Sequence, residues 1–403
     1  MRSLRWLAVG FGLAVLSSNI QAQSASPGIT NDTVTIGTIG PLSGPAAPLS
    51  IYNRQIEAYA KYLNDQGGVR MGDGKTRKLE VRLLDSGGMP ARAVSSAREL
   101  VEKDKVFALV GVFGTNENKA IVDYMNGKHI PHVYLLSAAP DWGQPKKYPW
   151  TIGFPPVPAT QTAIYGDYIK KVKPNAKVAV LYGADEYGKD GLAGIKKALA
   201  GSGATVVAAE SFERTDATVD SQIVKLANSG ADTFLDFAIG RAAAQALQKA
   251  SDIGWKPLTI VEATTASSGL LKRLPQDVIE GVVSAMYLKD PSAERFKNDE
   301  GVKTYLAAMN KYYGAGFDPT AQPMGVALTQ AFVKALEQMK VPTRDELMAV
   351  LRKVDNQEND FLLPGVHFNN ASTGGYPITQ MQIVVVKNGV LVPQGAIVTG
   401  APR

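Results

Sequence analysis

A hydroxyl side chain that follows a glycine-rich turn is the first place in this sequence that could bind an anion. Residues 106–112 are mostly bulky and apolar, a pattern typical of a strand buried on both faces, and Gly111 and Gly114 then bracket a turn before Thr115. We expect Thr115 to cap a helix over 116–125. Unpaired backbone N–H groups at a helix start bind anions such as carboxylates. The same residues also suit an ordinary helix cap, so this stretch alone leaves both interpretations open.

Three further polar side chains stand at the ends of predicted strands. The strand predicted over 132–136 ends at Ser137, and the strand predicted over 258–261 ends at Glu262. Open α/β sheets bind ligands beyond the carboxyl ends of their strands, so Glu262 could face a ligand, although it equally suits a cap of the following turn. Residues 183–190, GADEYGKD, predict a tight strand-to-helix turn that lifts Tyr187 over the strand end.

Sequence motifs for nucleotides, metals and catalysis are incomplete. Residues 183–190 match the Walker A spacing, but Asp190 replaces the Ser or Thr that holds Mg²⁺, and its carboxylate would repel phosphates. His129 and His132 have no third ligand nearby. The sequence contains no cysteine, which excludes disulfides, thiolate metal sites and cysteine nucleophiles. We therefore expect no metal, no cofactor and no enzymatic activity.

The elements that must position these side chains alternate along the chain. Short apolar runs alternate with helical patterns of about 10–15 residues, which predicts parallel sheets flanked by helices. The pattern occurs twice, separated by a stretch rich in proline and aromatic residues at 141–158, which we interpret as a crossing between domains. Trp142, Trp150 and Phe154 in this stretch suit either a core or a pocket. A chain of 403 residues also exceeds what one hydrophobic core usually serves.

The beginning of the chain has the pattern of an export signal. Two arginines precede an apolar run over 6–16, which is too short to span a bilayer as an anchor. We predict a signal peptide over 1–22 with cleavage after Ala22, or alternatively after Ala25, and a soluble periplasmic protein without a lipid anchor. The formal net charge of +6 comes from scattered lysines, which does not favour a nucleic-acid partner.

Five segments of the sequence, taken together, resemble one family of binding proteins. They are TIGTIGPLSGPAA at 35–47, YLNDQGGV at 62–69, LVGVFGTNENKA at 109–120, IPHVYLLSAAP at 130–140 and KVAVLYGADEYGKDGLAGIKKAL at 177–199. The chain resembles the periplasmic leucine/isoleucine/valine-binding proteins, which are the solute receptors of branched-chain-type ABC importers. The likeness covers nearly the whole mature chain in order.

The resemblance implies the type I periplasmic binding fold, an α/β architecture of two Rossmann-like lobes joined by a three-segment hinge. It implies that lobe 1 contains residues 29–154 and 287–367 and that lobe 2 contains residues 155–286 and 368–400. The crossings are expected near Phe154–Pro156, Ala285–Tyr287 and Val366–Asn369. A receptor of this kind is expected to be a monomer.

The resemblance also implies a set of ligand-binding positions, which are Thr115, Ser137, Ala138, Tyr187, Ile239 and Glu262. Thr115 would bind the ligand carboxylate, Tyr187 would approach from the second lobe, and Glu262 would receive an α-ammonium group. Ala138 stands where the family commonly has threonine, although Ser137 is next to it. Ile239 aligns with the family's second tyrosine. Both differences make the pocket less polar.

The function implied by the resemblance is capture of a small carboxylate-bearing ligand by hinge closure. The ligand would be a branched-chain or other apolar amino acid, and the receptor would deliver it to an inner-membrane ABC permease. The less polar pocket leaves an aromatic acid or an amide as an alternative ligand. A ligand sensor acting on a chemoreceptor or kinase is the alternative role.

Overall fold

The computed structural model describes residues 25–400 except 267, 272 and 315, so the predicted signal peptide over 1–22 lies outside the described residues. The strands are β1 (Thr33–Gly40), β2 (Val69–Arg70), β3 (Thr76–Asp85), β4 (Ala108–Val110), β5 (His132–Leu135), β6 (Thr151–Gly153), β7 (Lys177–Gly183), β8 (Thr205–Phe212), β9 (Thr233–Phe237), β10 (Leu258–Val261), β11 (Val283–Met286), β12 (Gln380–Lys387), β13 (Val390–Pro393) and β14 (Val398–Thr399). The α-helices are α1 (Ile51–Asp65), α2 (Pro90–Arg98), α3 (Thr115–Gly127), α4 (Pro158–Val172), α5 (Glu186–Leu199), α6 (Asp220–Ala227), α7 (Arg241–Asp252), α8 (Ser268–Leu271), α9 (Gln276–Ile279), α10 (Glu300–Tyr312), α11 (Met324–Gln338) and α12 (Arg344–Lys353).

The strands form two separate sheets, as the twofold alternation of the sequence predicted. The first sheet has the order β2-β3-β1-β4-β5-β6 and is parallel except for β2. The second has the order β13-β12-β11-β10-β9-β7-β8, with β12 and β13 antiparallel to their neighbours and β14 paired to β12. Helices pack on both sheets, so the predicted α/β class is confirmed. We call each sheet with its helices a lobe.

The strand β4 lies inside the first sheet and leads directly into the site. Gly111 and Gly114 turn the chain with φ angles of 68° and 93°, which glycine adopts without the penalty that a Cβ brings. The helix α3 then starts at Thr115, and Gly114 occupies the cap position without a side-chain hydrogen bond. The prediction that Thr115 caps this helix is therefore wrong, because the glycine turn places Thr115 in the first helical turn and leaves its hydroxyl for another partner.

The chain passes between the lobes three times. It leaves the first sheet after β6, returns to the first lobe after β11, and leaves it again between α12 and β12. The helices α10 and α11 pack on α1 and so belong to the first lobe, although they follow the second lobe's parallel strands in sequence. The predicted crossing at 141–158 needs one correction, because Thr151–Gly153 forms β6 and pairs with β5 in the first sheet. Ile152 is fully buried there, which favours a sheet position over a connection.

An aromatic cluster lies where two of the crossings meet. The ring centroid of Phe154 is 5.2 Å from that of Phe368, and Tyr134 lies 6.2 and 5.7 Å from these two rings. All three side chains are buried. Phe154 is therefore core rather than pocket, and Trp150 instead stacks on His129 at 5.1 Å. Within the described part of the chain, no helix combines the length and apolar character needed to span a bilayer.

Candidate functional site

Two adjoining cavities lie between the lobes, at the carboxyl ends of the parallel strands. The inner cavity has a volume of about 70 Å³ and the outer cavity about 460 Å³. Residues from both lobes line the inner cavity, among them Tyr52, Gly114, Thr115, Ser137 and Ala138 from the first lobe and Gln161, Tyr187, Ile239, Ala263 and Thr264 from the second. Leu49, Phe113, Tyr187, Arg214 and Ile239 line both cavities, which places these residues where the two meet.

Two hydroxyl groups form the first-lobe side of the inner cavity. Thr115 Oγ1 lies 2.9 Å from Ser137 Oγ, and the indole Nε1–H of Trp142 donates to Ser137 Oγ at 2.9 Å. An indole N–H can only donate, so Ser137 Oγ is an acceptor here and its own proton is available for Thr115. Either hydroxyl can be the donor in the bond between Thr115 and Ser137, and when Ser137 donates, the Thr115 proton can point into the cavity.

Backbone N–H groups add to this donor surface. No described residue accepts a hydrogen bond from the N–H groups of Thr115, Ser137 or Ala138. Thr115 opens α3, where the unpaired N–H groups and the helix dipole favour negative charge. These groups, with the Thr115 hydroxyl, suit a carboxylate.

A buried acid, Glu117, lies beside this donor surface, and its negative charge disfavours a bound carboxylate. Glu117 is 6 % exposed, and a Cβ on Gly114 would lie only 2.1 Å from its Oε2 atom. Burial raises the pKa of Glu117, and the positive charge of Arg214 opposes this shift from the other lobe. When ionised, Glu117 places a negative charge close to the helix start.

The second lobe contributes a tyrosine whose hydroxyl is held on both sides. Gln161 Nε2 donates to the Tyr187 oxygen at 3.1 Å, and the Tyr187 hydroxyl donates to Glu262 Oε2 at 3.0 Å. Gln161 in turn accepts from the backbone N–H of Ala263 at 3.1 Å. The Tyr187 proton is thus committed to Glu262, so towards the cavity this hydroxyl can only accept.

The turn that carries Tyr187 has the form predicted from residues 183–190. Asp185 caps α5 by accepting from the N–H of Gly188 at 3.0 Å, and a Cβ on Gly188 would lie 2.1 Å from the carbonyl oxygen of Gly183. Only glycine fits this close approach. Asp190 lies one turn further along the helix, and burial raises its pKa to about 6.

Glu262 lies behind Tyr187 and does not line either cavity. The side chain is 0 % exposed, and its two oxygens accept from the N–H groups of Thr264 at 2.9 Å and Thr265 at 2.6 Å. Burial raises the pKa of Glu262, and these hydrogen bonds oppose the shift. The acid therefore caps the turn after β10 and fixes Tyr187. Of the six positions implied by the resemblance, the structure brings Thr115, Ser137, Ala138, Tyr187 and Ile239 to the inner cavity.

Other residues at this site carried no clear sequence signal. Tyr287 follows β11, lines the inner cavity, and has a buried hydroxyl without a hydrogen-bond partner among the described residues. Tyr52 also lines it and lies on the apolar stripe of α1. Arg214 lines both cavities and donates from Nη2 to Asp185 Oδ2 at 2.7 Å. An apolar stripe predicts burial but does not separate core from cavity wall.

Two polar contacts bridge the lobes around the site. Lys119 Nζ lies 3.3 Å from Asp141 Oδ2 in its own lobe and 3.3 Å from Glu186 Oε2 in the other. Gln322 Nε2 donates across the lobes to the carbonyl oxygen of Ala263 at 3.3 Å. No group of three potential metal ligands occurs among the residues that the structure describes. His132 is fully buried, and burial lowers its pKa to about 3, so it is a neutral core histidine.

Comparisons with known proteins identify the family to which this chain belongs. A family model described as periplasmic binding protein matches residues 33–390. The Leu/Ile/Val-binding protein homolog 7 of Brucella suis is 24 % identical over 311 residues, which cover 74 % of this chain and 76 % of the relative.

Solved structures agree in fold. A branched-chain amino acid ABC transporter protein from Thermus thermophilus with bound valine superposes with a TM-score of 0.81 at 17 % identity, covering 92 % of this chain and 97 % of that chain. A fatty acid ABC transporter substrate-binding protein from Thermomonospora curvata gives 0.76 at 22 % identity, covering 93 % and 95 %. The chain therefore belongs to the periplasmic binding protein family, as its resemblance to the leucine/isoleucine/valine receptors predicted, and it is a solute receptor rather than an enzyme.

Proposed function

We propose that this receptor captures a carboxylate-bearing apolar solute between its lobes and delivers it to an inner-membrane ABC permease. The observation that carries the proposal is the donor surface of the inner cavity, where a hydroxyl and unpaired N–H groups meet at the start of α3. Such a surface complements a carboxylate in both charge and hydrogen bonding. Apolar residues dominate the rest of both cavity walls, which suits an apolar body on the solute.

The carboxylate would accept from the Thr115 hydroxyl, which Ser137 and Trp142 hold in a donating orientation. Trp142 donates to Ser137. In the proposed complex, Ser137 would donate to Thr115 and Thr115 would donate to the solute. Each donor is buried, so water does not compete for these bonds. Trp142 acts through Ser137 and is a positioning residue.

The second lobe would then close over the docked solute. An α-ammonium group, where the solute has one, would donate to the Tyr187 oxygen, because the carboxylate of Glu262 is already satisfied behind it. The ion pair of Lys119 with Glu186 would form as the lobes meet. Closure of this kind is a hinge motion at a few connecting residues. We propose that the moving bodies are residues 29–154 with 287–367 and residues 155–286 with 368–400.

The names of the relatives agree with a carboxylate-bearing solute, but they differ in the apolar part of that solute. The Brucella protein is named for leucine, isoleucine and valine, whereas the Thermomonospora structure is named for a fatty acid. Every one of these ligands carries a carboxylate on an apolar body. A periplasmic location follows from the family, and the predicted export signal agrees with it.

The test is Thr115→Val, which removes the hydroxyl and keeps the shape. The mature chain is freed of bound solute by unfolding and refolding, and a thermal-shift screen with leucine, phenylalanine, benzoate and octanoate then selects the probe. A solute at about 100 times its Kd adds about 2.7 kcal/mol to the unfolding free energy, which this screen detects.

A hydrogen bond to a charged group contributes about 1.5–3 kcal/mol, so calorimetry should find the selected probe bound at least about tenfold more weakly by Thr115→Val. The control is Thr205→Val, the same exchange at an exposed residue that begins β8. Equal affinities for the two variants would remove Thr115 from the carboxylate site and with it the proposal.

A further inference from the structure

The inner cavity is too small to hold a whole solute. An apolar cavity of about 150 Å³ accommodates one benzene molecule. The inner cavity, at about 70 Å³, has less than half that volume, so it fits a carboxylate and the atoms next to it. The outer cavity, at about 460 Å³, falls in the range of ordinary small-molecule sites.

Both cavities have mainly apolar surfaces, and they differ in the polar groups that they contain. The inner cavity collects the hydroxyl-bearing side chains of Tyr52, Thr115, Ser137, Tyr187 and Tyr287. The outer cavity is walled mainly by apolar residues, among them Pro45, Pro48, Leu49, Phe113, Phe212, Val219, Phe237 and Ile239.

Both arginines of the outer cavity are already engaged. Arg214 pairs with Asp185 at 2.7 Å, and Arg241 donates to the backbone carbonyl oxygens of Asp216 at 2.7 Å and Ala217 at 2.9 Å. Three acids (Asp185, Glu213 and Asp216) and two arginines line the outer cavity, so its lining has a formal charge of −1. The outer cavity therefore has no excess positive charge that would favour a second carboxylate on the solute.

Ile239 stands at the junction of the two cavities. It lines both of them, and it follows β9, whose last residue Phe237 stacks on Tyr187 with ring centroids 5.1 Å apart. A branched aliphatic side chain here contributes no hydrogen-bonding group and projects less bulk than an aromatic ring. Leu49, Phe113 and Ile239 therefore give the junction an apolar side, beside Tyr187 and Arg214.

We propose that the solute is an elongated monocarboxylate, whose carboxylate lies in the inner cavity and whose alkyl or aryl body of six or more carbon atoms passes Ile239 into the outer cavity. This inference rests on the proposed function and adds the size and shape of the solute. It excludes leucine as the best ligand, because the short side chain of leucine leaves most of the outer cavity without contacts.

The experiment is a calorimetric series with butanoate, hexanoate, octanoate, decanoate, 3-phenylpropanoate and leucine on the ligand-free mature chain. Each methylene buried in an apolar site improves affinity about fourfold, so the Kd should fall steadily from butanoate to octanoate, and leucine should bind more weakly than octanoate. A Kd that stays constant beyond butanoate, or leucine as the tightest ligand, would overturn the inference.

Two variants locate the body of the solute. Ile239→Trp at the junction, and Ala242→Trp in the wall of the outer cavity, should each weaken octanoate at least tenfold relative to butanoate. Val224→Trp, at an exposed residue of α6 that lines neither cavity, is the matched control, and it should keep the chain-length dependence. Equal losses for butanoate and octanoate in both tryptophan variants would contradict the inference.

The series separates this inference from the proposed function. If leucine or butanoate binds tightest and Thr115→Val weakens it, the proposed function stands and the elongated solute fails. If no carboxylate binds, or Thr115→Val changes nothing, both fail.

Discussion

Trp142 contacts the binding site through one hydrogen bond to Ser137, and Ser137 in turn is hydrogen-bonded to Thr115. We call this chain of hydrogen bonds the relay, and replacing Trp142 with phenylalanine tests it. Trp142→Phe keeps a buried aromatic ring but removes the Nε1–H that donates to Ser137 at 2.9 Å. One neutral hydrogen bond contributes about 1 kcal/mol, so the Kd for octanoate should rise about fivefold in calorimetry. The loss arises because Ser137 no longer has a donor that directs its own proton to Thr115.

The control for this variant is Trp150→Phe. Trp150 is also largely buried, but its ring stacks on His129 and lines neither cavity. Both variants lose a comparable volume and should lower the melting temperature, whereas only Trp142→Phe should weaken binding. Equal octanoate affinities for the two variants would refute the relay.

Three acids near the cleft give further predictions. Glu117→Gln should strengthen octanoate binding at pH 8, and the gain should shrink as the pH falls, because burial raises the pKa of Glu117 and protonation then removes the negative charge in the wild type as well. Weaker binding of octanoate to Glu117→Gln in calorimetry at pH 8 would contradict this. Asp190→Asn should raise the melting temperature more at pH 7.5 than at pH 5, because the pKa of about 6 in the folded protein lies above its ordinary 3.8. The cost of the buried charge is fully present above pH 6 and declines as the pH falls from about 6 towards 3.8; equal gains would argue against it. Glu262→Gln should lower the unfolding free energy by about 2 kcal/mol in urea titrations. The amide NH₂ group cannot accept a hydrogen bond, so it would leave either the backbone N–H groups or the Tyr187 hydroxyl without an acceptor. Unchanged stability together with lost binding would instead place Glu262 against the solute.

The sequence predicted the two-sheet α/β architecture because short-range residue patterns determine where its strands, helices and turns form. Apolar runs and helical stripes predicted both sheets. Asn388-Gly389 is a dipeptide typical of two-residue hairpin turns, and it joins β12 to β13 with φ angles of 51° and 72°. Thr343 and Glu346 have the spacing of a capping box, and Thr343 accepts from the N–H of Glu346 at 3.3 Å. The sequence did not predict β6, because a strand of three residues is too short to show the alternation of apolar and polar residues that indicates a strand. Prolines and tryptophans on either side of it are also typical of a connecting segment.

Position after a strand end accounts for part of the lining of the inner cavity, but Glu262, which directly follows β10, lines neither cavity. Thr115, Ser137 and Tyr187 reach the inner cavity because their strands end at it. Tyr52 and Tyr287 reach it from a helix and a crossing segment, and long-range packing decides their direction. The position of Glu262 behind Tyr187 depends on hydrogen bonds from the next turn, which strand position alone does not specify.

The decisive experiment is a crystal structure of the mature protein with octanoate. We expect octanoate between the lobes, with a carboxylate oxygen within hydrogen-bond distance of Thr115 Oγ1 and the alkyl chain passing Ile239 into the outer cavity. A carboxylate bound away from Thr115, or octanoate bound outside the space between the lobes, would contradict it.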